Sequence, residues 1–334
     1  MSLAKGLAAA QLELIVRVAE RYFAVLAAHE SLTFAQAQKD ALSRQLQQTR
    51  RRFEAGEIAI TDVPEAEAGY DRALADEIEA QHQLNDAGEA LREITGEDYD
   101  HLAGLSPGTP LVQPEPADEK RWIEQSLVQN LTLTVAELTA EVAREEIKRQ
   151  SAGHYPTLDL VGSHGFATTG GRLGAADIDA SAVGLALNLP LYEGGQVSSK
   201  IREAAHRYDE SLAALKQEQR AVRRQARDAY LGIITGISRV QALQQTVRSA
   251  AAAVQAIKAG LEVGSRTTLD LVLAEREGYR AQRDLSRARY DYLLDTLRLK
   301  RAAGILTGED LVRLNRWLTT IKNRADAYSD EFDQ

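Results

Sequence analysis

Apolar residues recur at three- and four-residue steps along most of this chain. Between 196 and 263 the stripe includes Leu212, Leu215, Val222, Ala226, Ala229 and Ile233. That spacing puts one buried stripe on an otherwise polar helix. No proline interrupts the segment, and Gly232 and Gly236 are its only glycines before the last turn. The pattern predicts one nearly continuous helix over 196–263, roughly 100 Å long at about 1.5 Å per residue. Gly264 then reads as a left-handed C-cap, and a return helix follows from Asp270 to Ala303.

The start of the chain has the same plan. A helix runs to Ala55, Gly56 stops it, and a second helix spans Asp62 to Thr95. Asp62 with Glu65 reads as a capping box, and Pro64 falls in the first turn, where proline is tolerated. Residues 97–117 hold Pro107, Pro110, Pro114 and Pro116 and read as irregular. Residues 118–151 are again helical, with a break near Asn130. Two helices of about 34 residues match one of twice that length, which predicts a layered bundle roughly 100 Å long.

The period changes between 155 and 192. Val183, Leu185, Leu187, Leu189 and Leu191 alternate with Ala182, Gly184, Ala186, Asn188 and Pro190. This is strand periodicity. Leu158, Leu160 and Phe166 alternate with Thr157, Asp159 and Ser163, and a glycine-rich loop from Gly170-Gly171-Arg172 to Asp179 is expected to join the strands. Strands of this length cross a bilayer at a tilt. One hairpin is unstable alone, so barrel closure by several chains is the symmetric solution.

A constant offset of 208 residues brings Gly56 onto Gly264, Asp62 onto Asp270, Tyr22 onto Tyr230, Leu91 onto Leu299 and Gly96 onto Gly304. It marks an internal duplication. Tyr22 and Tyr230 read as interhelical packing residues.

Composition sharpens the picture. Aromatics make up 5% of the chain, too few for a large globular core, and long-helix residues dominate. With 40 basic against 49 acidic residues the net charge is −9, which argues against a nucleic-acid partner. There is no cysteine, hence no disulfide or thiolate chemistry. No apolar run is long enough for a transmembrane helix, and Met1-Ser2-Leu3 reads as the start of a helical pattern, so that no signal peptide is expected in it. His29, His82, His101, His154, His164 and His206 read as surface residues, and none belongs to an HExxH pair. With no G-x-S-x-G elbow either, the chain is read as a non-enzyme without cofactor or metal.

Several motifs then point one way: Ala35-Gln36-Ala37-Gln38-Lys39; Arg52-Phe53 through Gly56 to Ala59-Ile60-Thr61-Asp62-Val63; Leu91-Arg92-Glu93-Ile94-Thr95-Gly96; Pro156-Thr157-Leu158-Asp159-Leu160; Pro190-Leu191-Tyr192-Glu193-Gly194-Gly195; and Val263-Gly264-Ser265-Arg266-Thr267 with Asp270. In these the chain resembles the TolC family of outer-membrane channel-tunnels, used in type I secretion and multidrug efflux.

The resemblance implies a mainly α protein of long antiparallel coiled-coil hairpins. Two structural repeats would form an α-barrel in a homotrimer, with one β-hairpin of a membrane β-barrel and a small mixed α/β equatorial region. The division is 1–96 and 194–304 as the helical hairpins, 97–117 as an equatorial linker, 118–152 as a helical segment, 153–193 as the β-barrel hairpin and 305–334 as a C-terminal equatorial segment. The expected place is the outer membrane of a Gram-negative bacterium, in contact with its lipid, with a large periplasmic part. The expected partners are a periplasmic adaptor (membrane fusion) protein and an inner-membrane transporter, with the channel a passive exit duct. A soluble periplasmic coiled-coil scaffold or adaptor is the rival reading, and it gives the alternating strands no purpose.

Family members carry two strand hairpins per protomer. The partner of Gly194-Gly195 would lie before Met1, so the chain is expected to be a fragment, with its single hairpin pairing irregularly, pairing between chains or poorly ordered.

At the hairpin tips, Gly56 and Gly264, the resemblance implies a periplasmic gate. Its links fall on Asp62 and Arg266, with Leu261 where the family has Tyr. Its acidic ring falls on Asp270, with Leu273 in place of the second acid. Three symmetry copies of Asp270 would repel one another and raise a pKa. The bland alternative makes Asp62 and Asp270 helix N-caps and Arg266 a solvated loop cation.

Overall fold

A computed structural model describes residues 2–57, 61–99, 101–106, 108–171 and 174–319. Ala59-Ile60, Pro107, Arg172 and the stretch 320–334 of the C-terminal segment lie outside the described residues. The element order is α1 (Ser2–Glu54), α2 (Asp62–Thr95), β1 (Gly104–Leu105), α3 (Glu119–Gln129), α4 (Leu131–Ser151), β2 (Thr157–Gly171), β3 (Gly174–Asn188), α5 (Gln196–Glu262), α6 (Thr268–Ala302), α7 (Gly308–Asn315) and β4 (Leu318–Thr319). The proline-free stretch is thus one helix of 67 residues. The break near Asn130 is real: its backbone is extended at φ −63°, ψ 123°, between α3 and α4.

The chain divides into two compact units, residues 132–220 with the two N-terminal residues, and residues 3–131 with 221–334. In the first unit, α4 meets the start of α5. A Cβ on Gly153 would lie 3.3 Å from Val197, and Leu133, Ala140, Val197 and Ala204 are buried. The hairpin corrects two expectations. β2 and β3 pair regularly within the chain, from Thr157 opposite Asn188 to Gly171 opposite Gly174. The joining loop is therefore much shorter than 170–179. Glycine and polar residues tolerate an antiparallel ladder when each faces a partner, and composition alone misplaced the strand ends.

The hairpin's two faces differ. Leu158, Leu160, Val183, Leu185 and Leu187 share one face, and all are more than 65% exposed. Asp159, Ser163, Ala182, Gly184 and Ala186 share the other, together with Val161 and Ile178.

The second unit holds the main core. Val16, Phe23 and Leu26 of α1 pack with Ala229 and Ile233 of α5 and with Tyr290, Leu293 and Leu297 of α6. Phe23 stacks on Tyr290 at 5.1 Å between ring centroids. The tight approach of α6 to α5 depends on Gly232 and Gly236. A Cβ on Gly232 would overlap the Asp295 carboxylate, and one on Gly236 would lie 3.4 Å from Tyr292 Cβ. Burial holds the Asp295 pKa above its usual value against the opposing pull of Arg298, which also reaches Glu20 of α1 at 2.7 Å.

Buried polar side chains tie down the irregular linker. The Tyr22 hydroxyl donates to the Ala103 carbonyl oxygen at 2.6 Å. Tyr22 is therefore more than a packing residue. The Tyr292 hydroxyl donates to the Val112 carbonyl oxygen at 3.0 Å and accepts from the Val112 N–H at 2.7 Å. Trp122 Nε1 donates to the Pro116 carbonyl oxygen at 2.8 Å. β1 pairs antiparallel with β4, joining the linker to the segment after α7. Each bond satisfies a group that burial would otherwise leave unpaired.

The duplication is visible in contacts. Arg50 pairs with Glu67 at 2.7 Å, and Lys258 pairs with Glu275 at 3.9 Å. Both members of the first pair map onto the second by the same 208-residue offset.

Gly96 and Gly304 are also equivalent, and both are left-handed, at φ 74° and 69°. Their surroundings differ. A Cβ on Gly96 meets nothing within 4 Å, whereas one on Gly304 would overlap the Gln129 carbonyl oxygen. Gly96→Ala should cost about 1–2 kcal/mol of conformational strain. Gly304→Ala should cost about 1–3 kcal/mol more, because backbone must move. Urea unfolding followed by circular dichroism checks the order, and equal losses would contradict the close approach.

Candidate functional site: the hairpin tips

Both tips close by the same hydrogen-bond scheme. At the first, Glu57 N donates to Arg52 O at 2.9 Å and Gly56 N to Phe53 O at 2.9 Å. At the second, Ser265 N donates to Gly260 O at 2.8 Å and Gly264 N to Leu261 O at 3.1 Å. This is the Schellman pattern, which needs a left-handed residue at its centre. Gly56 and Gly264 supply it at φ 75° and 74°. The 208-residue alignment of the two glycines is thus a shared backbone geometry.

The helices that leave the tips start differently. α6 is capped by Thr267, and its hydroxyl accepts from Asp270 N at 3.2 Å. The Asp270 carboxylate accepts from Thr267 N and from the Thr267 hydroxyl, both at 2.9 Å. Asp270 is therefore the third residue of a capping box rather than its N-cap. The T-x-x-D spacing Thr267-Thr268-Leu269-Asp270 carried that signal. α2 begins at Asp62 itself, and Thr61 precedes it with helical φ −66°, ψ −25° and no side-chain cap bond. The expected Asp62–Glu65 capping box is not formed. A cap must leave the helical region so that its side chain can turn back on the N–H groups; Asp62 is already the first helical residue, and Thr61 before it keeps helical angles.

Asp270 is held below its usual pKa, first by the Thr267 backbone bond, then by the Thr267 hydroxyl, with the Arg266 charge adding to both. Within one chain this opposes the rise expected from three clustered copies. Arg266 is exposed and its backbone N–H donates to Gly260 O at 3.1 Å. Among the described residues, Asp62 and Arg266 form no ion pair within the chain. Leu261 is half-buried, and Leu273 is 43% exposed.

A groove of about 620 Å³ gathers several of these groups. Asp62 and Leu273 line it together with Thr267, Arg52, Arg72 and Arg276. Arg266, Asp270 and Leu261 do not line it. Gln45 also lines it, and its Oε1 is buried without a hydrogen-bond partner. Sequence reasoning missed the three arginines, since each lies on a separate helix and only folding brings them together. Among the described residues there is no cluster of metal-ligating side chains, no helix long and apolar enough to cross a membrane, and all six histidines are exposed.

The outer membrane efflux protein family model matches residues 3–97 and 122–305, and the chain belongs to that family. It is 38% identical to the outer membrane protein TolC of Vibrio cholerae over 319 residues, 94% of this chain and 73% of that protein. It is 37% identical to the TolC of Escherichia coli, over 92% of this chain and 65% of that protein. The chain thus spans roughly two thirds of these relatives' length. The Campylobacter jejuni CmeC outer membrane channel has the same fold, with a TM-score of 0.73 at 15% identity over 95% of this chain and 69% of that one. The Vibrio cholerae outer membrane protein VceC gives 0.66 at 21% identity, over 91% and 74%.

Removing the hydroxyl in Thr267→Ala should cost about 1 kcal/mol of local helix stability and speed amide exchange at 268–272. The capping carboxylate gives a pH dependence of definite sign. The folded pKa of Asp270 lies below its ordinary 3.8. Its contribution is therefore present above that ordinary value and is lost as the pH falls through the lower folded pKa. Amide exchange at the start of α6, corrected for its intrinsic rate, should lose protection only in that acid window. Asp270→Asn should remove the dependence; an unchanged profile would contradict the capping role.

Proposed function

We propose that the chain is the main part of a passive exit duct for efflux or type I secretion, working as a homotrimer across the periplasm and outer membrane. The observation that carries this reading is the β2–β3 ribbon. Its leucine face is largely exposed in one chain, and covering each leucine is worth up to about 1.5–3 kcal/mol. A ribbon with one leucine-rich face and one of mostly small or polar residues, Val161 and Ile178 apart, suits a barrel wall, lipid outside and water inside. The long hairpins supply the periplasmic conduit. Energy would come from an inner-membrane transporter, reached through a periplasmic adaptor. The rival reading as a soluble scaffold leaves the leucine face without a purpose.

The gate belongs to this proposal. Three copies of the second tip around one axis would bring three Asp270 carboxylates together. The Thr267 hydrogen bonds favour the ionised form of each carboxyl, and an anionic ring draws cations into the constriction. Arg266, exposed on the same tip, is free to reach Asp62 of a neighbouring hairpin. Such an exposed pair contributes about 0–1 kcal/mol, so three copies bias the aperture towards closure without locking it.

Single-channel recording of the full-length protein in planar bilayers tests both parts. Arg266→Ser should raise conductance, and Asp270→Ala should weaken block by multivalent cations. Unchanged conductance and unchanged block would return these residues to caps and solvated charges, and failure of the wild-type protein to insert would remove the duct reading itself.

A further inference from the structure

The leucine face of the β2–β3 ribbon changes character along its length. From the open end its rungs are Leu158–Leu187, Leu160–Leu185 and Gly162–Val183, then His164–Ser181, Phe166–Asp179 and Thr168–Asp177. The first three carry only Leu, Val and Gly. The next three, towards the turn, carry one apolar side chain, Phe166. His164 Nδ1 lies 2.9 Å from Ser181 Oγ and 3.5 Å from Asp179 Oδ1. Both contacts end on the same ring nitrogen, so the trio is not a nucleophile–base–carboxylate relay, which uses the two nitrogens separately. His164 and Asp179 are each 67% exposed. A charged group on a lipid-facing wall is costly at the middle of a bilayer and nearly free at its edge. The pair therefore marks a depth.

Length gives the same depth independently. Leu189, just past the last rung, continues the leucine alternation. The chain from Ser181 to Leu189 runs about 27 Å, and from Asp179 to Leu189 about 34 Å, at roughly 3.4 Å per residue. Tilted by about 40°, those spans rise about 21 and 26 Å. The apolar band of an outer-membrane barrel is about 25 Å tall, so a band that starts at Leu189 ends between these two rungs. Aromatic side chains stand at both limits. Tyr155 and Tyr192 flank the open end and Phe166 stands at the far rung, all three exposed, as in the aromatic girdles of such barrels.

We propose that the hydrocarbon of the membrane ends at the His164–Ser181 and Phe166–Asp179 rungs. There His164, Ser181 and Asp179 meet the lipid headgroup layer, and Phe166 seats at the edge of the acyl chains. Thr168 and Asp177 stand in water beyond it. The inference rests on the barrel-wall reading of the ribbon.

The chain has no cysteine, so single cysteines on the leucine face can each carry a nitroxide. Leu160→Cys, Val183→Cys, Ser181→Cys, Asp179→Cys and Thr168→Cys are made in the full-length protein, reconstituted in vesicles of phosphatidylethanolamine and phosphatidylglycerol. Collision of the nitroxide with oxygen, which concentrates in hydrocarbon, is compared with collision with a water-soluble nickel chelate. The oxygen-to-nickel ratio should be at least fivefold higher at Leu160 and Val183 than at Thr168, with the steep change between Val183 and Asp179. A ratio at Asp179 as high as at Leu160 would bury the pair in hydrocarbon and overturn the proposal. A low ratio at Val183 with a high one at Leu160 would overturn it too, by placing the edge a rung too deep. Ratios at Leu160 and Val183 as low as at Thr168 would mean that no lipid touches this face, which removes the barrel-wall reading together with the proposal. Each rung offers a cross-strand substitute should a variant fail to insert: Leu185 for Leu160, His164 for Ser181, Phe166 for Asp179 and Asp177 for Thr168.

Discussion

A helix of 67 residues exposes far more surface than it can bury, and this governs the molecule. Along α5 the apolar positions narrow to one stripe, and small residues dominate it: Ala204, Val222, Ala226, Ala229, Val240 and Val254 are all buried. Small side chains let backbones approach and leave little volume to fill with aromatics. That is why so few aromatics suffice; those that are buried among the described residues, Phe23, Trp122, Tyr290 and Tyr292, all belong to the core that the irregular linker joins. The glycines of α5 follow from the same constraint. Gly232 and Gly236 weaken the helix locally, but they make room for Asp295 and Tyr292 of α6. Tyr292 in turn holds the linker through Val112. One close helix contact therefore organises three parts of the chain.

Much of this was legible in the sequence. Helix periodicity located α1, α2, α5 and α6 to within two residues at most ends, because proline-free amphipathic stretches admit few alternatives. The left-handed glycines were legible for a similar reason, since a glycine closing a long stripe has one common use. The strand ends were not. Gly170, Gly171 and Gly174 carry loop composition, yet cross-strand partners override propensity in a ladder.

The tips were legible in part. Gly56 and Gly264 were found, whereas the caps were assigned to the wrong residues. Asp62 and Glu65 have the spacing of a capping box, and Thr267 and Asp270 have it too; what separates them is that Asp62 already lies inside its helix whereas Thr267 stands before its own with extended backbone. The arginines around the tip groove left no local signal, since convergence from three helices is a tertiary fact.

The two tips also record different histories. By the 208-residue correspondence, the position of Thr267 is occupied in the first repeat by Ala59. The hydroxyl that closes the second tip's capping box therefore has no counterpart in the first, while the ion pairs nearby, Arg50 with Glu67 and Lys258 with Glu275, persist in both. The repeats have kept the charges that hold their arms together and diverged at the first turn beyond the bend. A single-copy ancestor would have had to use one tip for every task. After duplication, a threonine-for-alanine difference gives one arm a capping hydroxyl that the other's sequence lacks at that position, so that specialisation of the halves begins with one oxygen atom.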